Sequence, residues 1–181
     1  MSWDKEQEIR AAEAEADDLP RVSLETSKGQ IELELFENEA PNTVANFIAL
    51  VEQGYYSGLP FHRVLEGFMA QGGDNGRGGP GYTIECECYR PDYRKHFKGS
   101  LSMAHAGRDT GSAQFFLTFV PTPHLDGAHT CFGRVIKGMD VLESLQRRDP
   151  NNPKDARIEP DRIVQAQVSR KRPHEYVVKK A

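Results

Sequence analysis

The first regular pattern along the chain is an alternation of apolar and polar residues that begins after Pro20. Apolar side chains stand at positions 22, 24, 31, 33 and 35, and Ser27, Lys28 and Gly29 supply turn residues between the two runs. Because successive side chains of a strand point to opposite faces of a sheet, this spacing predicts a β-hairpin with one buried face.

Residues 41–54 change to helical spacing. Apolar side chains recur at positions 44, 47, 48 and 51, with Pro41 at the start of the run and Gly54 beyond its end. Proline is tolerated in the first turn of a helix and glycine suits the position after the last turn, so these residues predict a helix. A second, shorter helix is predicted over residues 139–146, where Val141, Leu142 and Leu145 would face inward.

Five further apolar segments predict strands. They cover residues 61–71, 99–103, 114–119, 130–135 and 163–168, and a glycine-rich turn follows the first of them over residues 72–81. That turn has no Gly-Lys-Ser/Thr ending and no helical pattern after it, which argues against a nucleotide-binding loop. Many antiparallel strands of even spacing with two short helices favour a mainly β fold, a closed barrel capped by helices.

Two charged segments flank this central region. Residues 1–18 are rich in Ala, Glu and Lys but poor in apolar side chains, so a helix there would be marginal alone or would lie on the body. We expect residues 1–20 to form a solvated extension, with a partner-binding arm as the alternative. Residues 21–170 would then form one domain, and residues 171–181 a basic, solvated tail.

Composition narrows the class of protein. A chain of 181 residues with 38% hydrophobic and 28% charged residues suits one soluble globular domain, and its net charge of −4 is too small to favour nucleic acid as a partner. No segment approaches the roughly 20 apolar residues that a membrane span needs. The N-terminus lacks the apolar core of a signal peptide, so we expect a cytoplasmic protein, and nothing in the sequence demands more than a monomer.

The chain contains three cysteines, Cys86, Cys88 and Cys131. An odd number without framework spacing is typical of a reducing compartment, and Cys86 and Cys88 are too close in sequence for an ordinary disulfide. A metal site that also uses His96 is conceivable, but no second ligand pair at zinc-like spacing occurs. Unpaired thiols, with no bound metal, are therefore the preferred interpretation.

Two segments carry the candidate chemistry: FHRVLEGFMAQGGD over residues 61–74 and GSAQFFLTF over residues 111–119. An arginine among aromatic residues, followed by apolar strands, would place one guanidinium along the wall of an apolar groove. Together the segments resemble the signature of the cyclophilins, which are peptidyl-prolyl cis/trans isomerases. The resemblance extends over about residues 22–168 and implies an eight-stranded antiparallel barrel with a helix at each end.

The resemblance also implies an activity and a catalytic residue. An X-Pro bond isomerises slowly because its partial double-bond character imposes a barrier of roughly 18–20 kcal/mol. A fixed donor aimed at the nitrogen of the twisted amide stabilises that form more than the planar one. The match in FHRV assigns this role to Arg63, whose planar fork always carries its charge. No cofactor is needed for such a reaction.

Other residues of the two motifs would bind the peptide. Gln71 would hold the guanidinium and the substrate backbone, and Gln114 would lie between the proline pocket and the next subsite. Phe61, Phe115 and Phe132 are predicted to belong to the core. The residues that match the proline pocket are Phe68, Met69, Phe116 and Leu125.

The segment MAHAG departs from the MANAG that is usual in the family, because His105 replaces asparagine. The resemblance pairs the main chain of Ala104 and His105, on an edge strand, with the substrate backbone, and a main-chain contact does not depend on side-chain type. His129 matches a histidine at the pocket edge, with a hydrogen-bonded structural histidine as the alternative. His124 stands where many members carry tryptophan, so we predict retained isomerase activity with weakened binding of cyclosporin.

Proline-containing peptides and unfolded or partly folded proteins are thus the expected partners. Two alternatives compete with the isomerase: a binding module that holds proline peptides without turning them over, and a chaperone that suppresses aggregation. The presence of Arg63 favours the enzyme over the binding module. A hydrolase has weak support, because no Gly-x-Ser-x-Gly arrangement occurs.

Overall fold

The computed structural model describes residues 2–181 and contains eight antiparallel strands in one curled sheet. Their order across the sheet is β3-β4-β6-β5-β7-β2-β1-β8. The fold is therefore mainly β, as the sequence predicts. The strands are β1 (Arg21–Thr26), β2 (Gly29–Leu35), β3 (Arg63–Leu65), β4 (Met69–Gly72), β5 (Ser100–Met103), β6 (Phe115–Thr118), β7 (Cys131–Lys137) and β8 (Ile163–Arg170).

The predicted hairpin is confirmed as β1 and β2. Val22 lies opposite Leu33 and Leu24 opposite Ile31, and all four side chains are fully buried. Opposed apolar pairs on one face of two strands fix the register, because a slip of one residue would expose all of them. β8 then pairs with the other edge of β1.

The prediction of one strand over residues 61–71 is wrong, because the segment forms two strands, β3 and β4. They pair with each other, so that Arg63 lies opposite Gln71, and a turn joins them where Phe68 donates its N–H to the carbonyl of Leu65. Gly67 adopts a φ of 67°, which glycine reaches without the steric cost of a side chain. Apolar residues continue on both sides of this turn, so the apolar pattern conceals it.

Three α-helices accompany the sheet: α1 (Trp3–Ala16), α2 (Pro41–Glu52) and α3 (Met139–Glu143). Phe47 of α2 packs on the rings of Tyr56, Phe115 and Phe132, with ring centroids 5.3–5.5 Å apart. Phe61, Phe115 and Phe132 are fully buried, which confirms them as core residues. α3 is shorter than predicted, because a turn follows it and the N–H of Gln146 donates to the carboxylate of Asp161 instead of continuing the helix.

The N-terminal helix α1 lies on the body through buried charge. The carboxylate of Glu6 is 2.7 Å from the guanidinium of Arg94, both side chains are at most 1% exposed, and the guanidinium lies 3.7 Å from the ring centroid of Phe36. At the start of the helix the ring of Trp3 packs edge-on against Phe97, with centroids 5.0 Å apart. These contacts hold a helix that has no apolar face of its own.

The C-terminal segment also contacts the body. The backbone of Lys179 exchanges two hydrogen bonds with the side chain of Asn42, at the start of α2, and the N–H of Ala181 donates to the carbonyl of Thr83. Most of its side chains remain exposed. Within residues 2–181 no helix combines the length and the apolar character needed to cross a bilayer.

Candidate active site

One row of side chains crosses three neighbouring strands. Arg63 lies opposite Gln71 across β3 and β4, and Gln71 lies opposite Phe116 across β4 and β6. Directly opposed residues of antiparallel strands share a face, so this register brings the arginine, the amide and the ring together. The adjacent row, which points to the other face, consists of buried Val64, Ala70 and Leu117 and belongs to the core.

This row is the centre of a groove with a volume of about 650 Å³. Ten of the eleven predicted site residues line it, and His124 is the exception. His124 is exposed and lies beside Phe68, with ring centroids 5.7 Å apart. The ten are Arg63, Phe68, Met69, Gln71, Ala104, His105, Gln114, Phe116, Leu125 and His129.

Arg63 is half-buried, and its Nε is a buried donor without a hydrogen-bond partner. No carboxylate lies within salt-bridge distance of this guanidinium in the part of the chain that the structure describes. The expected hold by Gln71 is not seen: its amide donates to Gln114 at 2.9 Å instead. An uncompensated guanidinium on an apolar wall is available to a ligand, because its donors are not already used within the protein.

The segment after β5 does not belong to an edge strand, contrary to expectation. β5 lies between β6 and β7, and the N–H of Ala104 donates to the carbonyl of Gln114 at 3.0 Å. The N–H of Ala104 is therefore already used within the protein and is not available to pair with a substrate strand. His105 follows on a loop, which leaves its side chain free to contact a neighbouring segment.

Part of the groove was not predicted from the sequence. The glycine-rich turn and the loop before β6 also line it, and they contribute Gly73, Asp74, Thr110 and Ser112. Gly73 has a φ of 90°, and a Cβ there would lie 2.8 Å from the carbonyl oxygen of Ala113. Glycine at this position was the available signal, since it permits the close approach of two backbones that forms the groove.

The thiols of Cys86, Cys88 and Cys131 are free. Burial raises the pKa of Cys131 to about 12, so its thiol stays protonated at neutral pH. Over residues 2–181, no three His, Cys, Asp or Glu side chains come together as metal ligands. His96 instead binds Asp126 through Nδ1 at 2.8 Å and Ser102 through Nε2 at 2.7 Å.

Comparison with known proteins decides the family. Residues 21–168 match the family model described as cyclophilin type peptidyl-prolyl cis-trans isomerase/CLD. The chain belongs to the cyclophilin family. As a member of this family it is a peptidyl-prolyl cis-trans isomerase, the activity that the motifs around Arg63 and Phe116 imply.

Relatives of this cyclophilin agree with the assignment. A peptidyl-prolyl cis-trans isomerase of Helicobacter pylori is 49% identical over 150 residues, which are 78% of this chain and 91% of that protein. A peptidyl-prolyl cis-trans isomerase of Synechococcus elongatus is 53% identical over 136 residues, which are 72% and 92% of the two chains.

Solved structures show the same fold. The crystal structure of a cyclophilin type peptidyl-prolyl cis-trans isomerase from Cryptosporidium parvum superimposes with a TM-score of 0.73 and 31% identity, over 83% of this chain and 97% of that one. A crystal structure of the same protein in the presence of the dipeptide Ala-Pro gives a TM-score of 0.72 and 32% identity, over 82% and 98%.

Folding of this cyclophilin makes three histidines harder to protonate. The pKa values of His62, His96 and His129 are lowered, and burial is the largest cause in each case. As the pH falls, the unfolded chain binds protons at these residues near pH 6.5, whereas the folded chain binds them only at a lower pH. The stability that the neutral histidines contribute is therefore complete above about pH 7 and is lost as the pH falls through their folded pKa values. We expect urea unfolding between pH 7.5 and 5.5 to show a steadily falling free energy of unfolding.

His174 provides a control of opposite sign. Its pKa is raised, first by the carbonyl of Glu175 and then by the carboxylate of Glu37, so it stabilises the fold on the acid side and this contribution fades as the pH rises. His174→Asn should make the acid loss of stability steeper, whereas His96→Gln should make it shallower. A free energy of unfolding that increases on acidification over this range would contradict the interpretation.

Proposed function

We propose that this cyclophilin accelerates rotation about X-Pro bonds by arginine stabilisation of the twisted amide. Arg63 is the donor, and Phe68, Met69, Phe116 and Leu125 hold the proline ring. As the amide twists, its nitrogen loses conjugation and gains a lone pair that a positive, fixed donor stabilises. The planar ground state has no such lone pair, so the interaction lowers the barrier.

The unpaired, buried Nε of Arg63 is the observation that carries this proposal. A guanidinium already paired with a carboxylate would have to break that pair before it could turn toward a substrate. Phe116 and Met69, which line the same groove, are only 4% and 2% exposed, so the charge meets the substrate beside apolar surface. Electrostatic interactions are stronger there than in water.

Proline-containing peptides and partly folded proteins are the proposed partners, bound by a monomer in the cytoplasm. The groove supports binding of many different proline-containing sequences, because it offers one apolar pocket and otherwise backbone and amide groups to the peptide. We further propose that the barrel closes between its end strands β3 and β8. The bridge between Pro60 and Arg162, with the N–H of Phe61 donating to Asp161 at 2.8 Å, supports closure.

Catalysis by the intact chain tests the activity directly. NMR exchange between the cis and trans forms of an Ala-Pro-Phe peptide requires no coupled protease, and the wild-type protein should accelerate it well above the uncatalysed rate. A folded protein that binds the peptide without changing its exchange rate would favour the non-catalytic binding module. Suppression of aggregation that persists without this acceleration would favour the chaperone.

Cyclosporin binding depends on position 124. His124 is exposed beside Phe68 and offers a smaller surface and a different donor geometry than the indole that many members carry. We expect His124→Trp to increase the affinity for cyclosporin by about twofold to tenfold, measured by calorimetry, because an added aromatic contact is worth about 0.5–1.5 kcal/mol. An equal affinity of the two proteins would show that this position does not limit binding.

A further inference from the structure

Two imidazole rings lie face to face on the rim of the groove. The ring centroids of His105 and His129 are 4.0 Å apart and their planes are inclined by 9°. His105 comes from the loop after β5, whereas His129 comes from the segment before β7, and both line the groove. Contact between the two ring faces makes the orientation of one ring depend on the other.

The hydrogen bonds of His105 fix its tautomer. The N–H of Gly107 donates to Nδ1 at 3.1 Å, so Nδ1 is the acceptor. Nε2 then carries the proton and donates to the carbonyl of Ala128 at 2.7 Å. His105 thus spans the two segments that form the rim, and it uses both ring nitrogens to do so.

The hydrogen bond of His129 leaves one ring nitrogen as an acceptor on a side chain that lines the groove. Its Nδ1 donates to the carbonyl of Met103 at 2.9 Å, and its ring meets the edge of Phe116 in the proline pocket, with centroids 5.5 Å apart. In the neutral ring Nε2 therefore carries a lone pair and no proton. No group of residues 2–181 occupies that lone pair.

We infer that His105 is a positioning residue of the isomerase. It stacks on His129 and holds the Nε2 atom of His129 as a fixed acceptor for an N–H of the bound peptide. This inference rests on the proposed function. The stack limits the rotation of His129 about its side-chain bonds, which a single hydrogen bond to Met103 would not do. The acceptor lies beside the proline pocket and so contacts residues that flank the proline.

Burial and two neighbouring histidines favour the neutral form of His129. His105 faces it across the stack, His124 lies on its own segment, His96 approaches from behind Phe116, and Arg63 lines the same groove. Burial lowers the pKa of His129 most, the hydrogen bond to the carbonyl of Met103 opposes it, and the neighbouring His105 and His124 lower it further. A proton on His129 would convert the acceptor into a donor, so substrate binding should weaken at acid pH.

The test compares His105→Asn and His105→Phe with wild type by NMR exchange on the same peptide from pH 5.5 to 8. Asparagine, the residue usual in MANAG, removes the ring face, and we expect KM to rise by about twofold to tenfold with kcat nearly unchanged. Phenylalanine keeps the ring face, so KM should stay within about twofold of wild type at pH 8. The matched control, His174→Asn, lies on the C-terminal segment and should match wild type.

Two further readouts separate positioning from a merely structural role. Imidazole ¹⁵N NMR should show a higher pKa for His129 in both His105 variants, and the acid loss of activity should move to higher pH with it. In a His129→Gln background, His105→Asn should have no further effect on KM, since residues that act as a unit are not additive.

Several results would overturn the inference. These are a wild-type KM and pH profile in His105→Asn, equal losses in the asparagine and phenylalanine variants, or additive effects of changes at positions 105 and 129. If wild type itself fails to accelerate exchange, the proposed function fails. If wild type is active and His105→Asn matches it, only the positioning role fails.

Discussion

Arg63→Ala should reduce kcat/KM for X-Pro isomerisation by about 100- to 1000-fold, the usual effect of removing one preorganised donor from a site of charge stabilisation. The expected loss is large because Arg63 is the cation of the groove centre and its Nε has no partner within the fold. The loss should fall mainly on kcat, since the donor acts on the twisted amide and the proline pocket of Phe116 and Met69 remains intact.

Two variants make this result specific. Arg157 is an exposed arginine outside the groove, so Arg157→Ala repeats the chemical change without touching the site and should keep wild-type activity. Arg63→Lys keeps the charge but loses the planar fork, so it should recover only part of the activity. Near-normal kcat/KM in a folded Arg63→Ala protein would refute the arginine mechanism and would leave binding in the apolar pocket as the source of catalysis.

Arg94→Met should lower the free energy of unfolding by about 3–5 kcal/mol, because it removes the buried cation that pairs with Glu6, Glu13 and Glu39. Burial alone would raise the pKa of Glu6, but the hydrogen bonds and charges of Arg94 and, to a smaller extent, Arg10 bring it below its usual range. Arg10, the remaining partner of Glu6, belongs to α1 itself. Without Arg94 the carboxylate therefore loses its cation on the rest of the protein, which favours release of α1. A released helix of 14 residues is marginal in water.

The measurement combines thermal unfolding with hydrogen exchange. For a chain of this size the melting midpoint should fall by roughly 6–20 °C, and the amides of α1 should lose most of their protection. Lys5→Ala breaks the exposed pair with Glu8 and should change the midpoint by no more than about 1 °C. Retained protection of α1 with an unchanged midpoint in Arg94→Met would show that the buried pair does not hold the helix. Isomerase activity should persist in both variants.

The sequence predicts local structure where one signal is repeated along a short segment. The hairpin of β1 and β2 follows directly from alternating Val22, Leu24, Ile31 and Leu33, and α2 from its apolar stripe. The turn between β3 and β4 was missed because Gly67 is its only signal within an apolar run. The strand order was not predicted either, since the insertion of β6 between β4 and β5 depends on contacts between residues distant in sequence.

In the candidate site, too, local motifs were predictable and long-range contacts were not. Arg63, Gln71 and Phe116 were found because their motifs are specific, although the row that they form depends on pairing between three strands. The contact of Glu6 with Arg94 joins residues 88 positions apart, and each residue alone has the pattern of an ordinary surface charge. Burial of both could not be predicted, because nothing local to either one indicates its partner.

The position of Trp3, packed on Phe97 with the guanidinium of Arg10 5.2 Å from its ring, has a practical consequence. It is the chain's single tryptophan, and it lies on α1 outside the groove. Its emission therefore reports whether the helix is docked and is silent about the peptide. Two fluorescence signals can thus be recorded from one sample. A labelled peptide reports occupancy of the groove, and the native indole reports release of the helix.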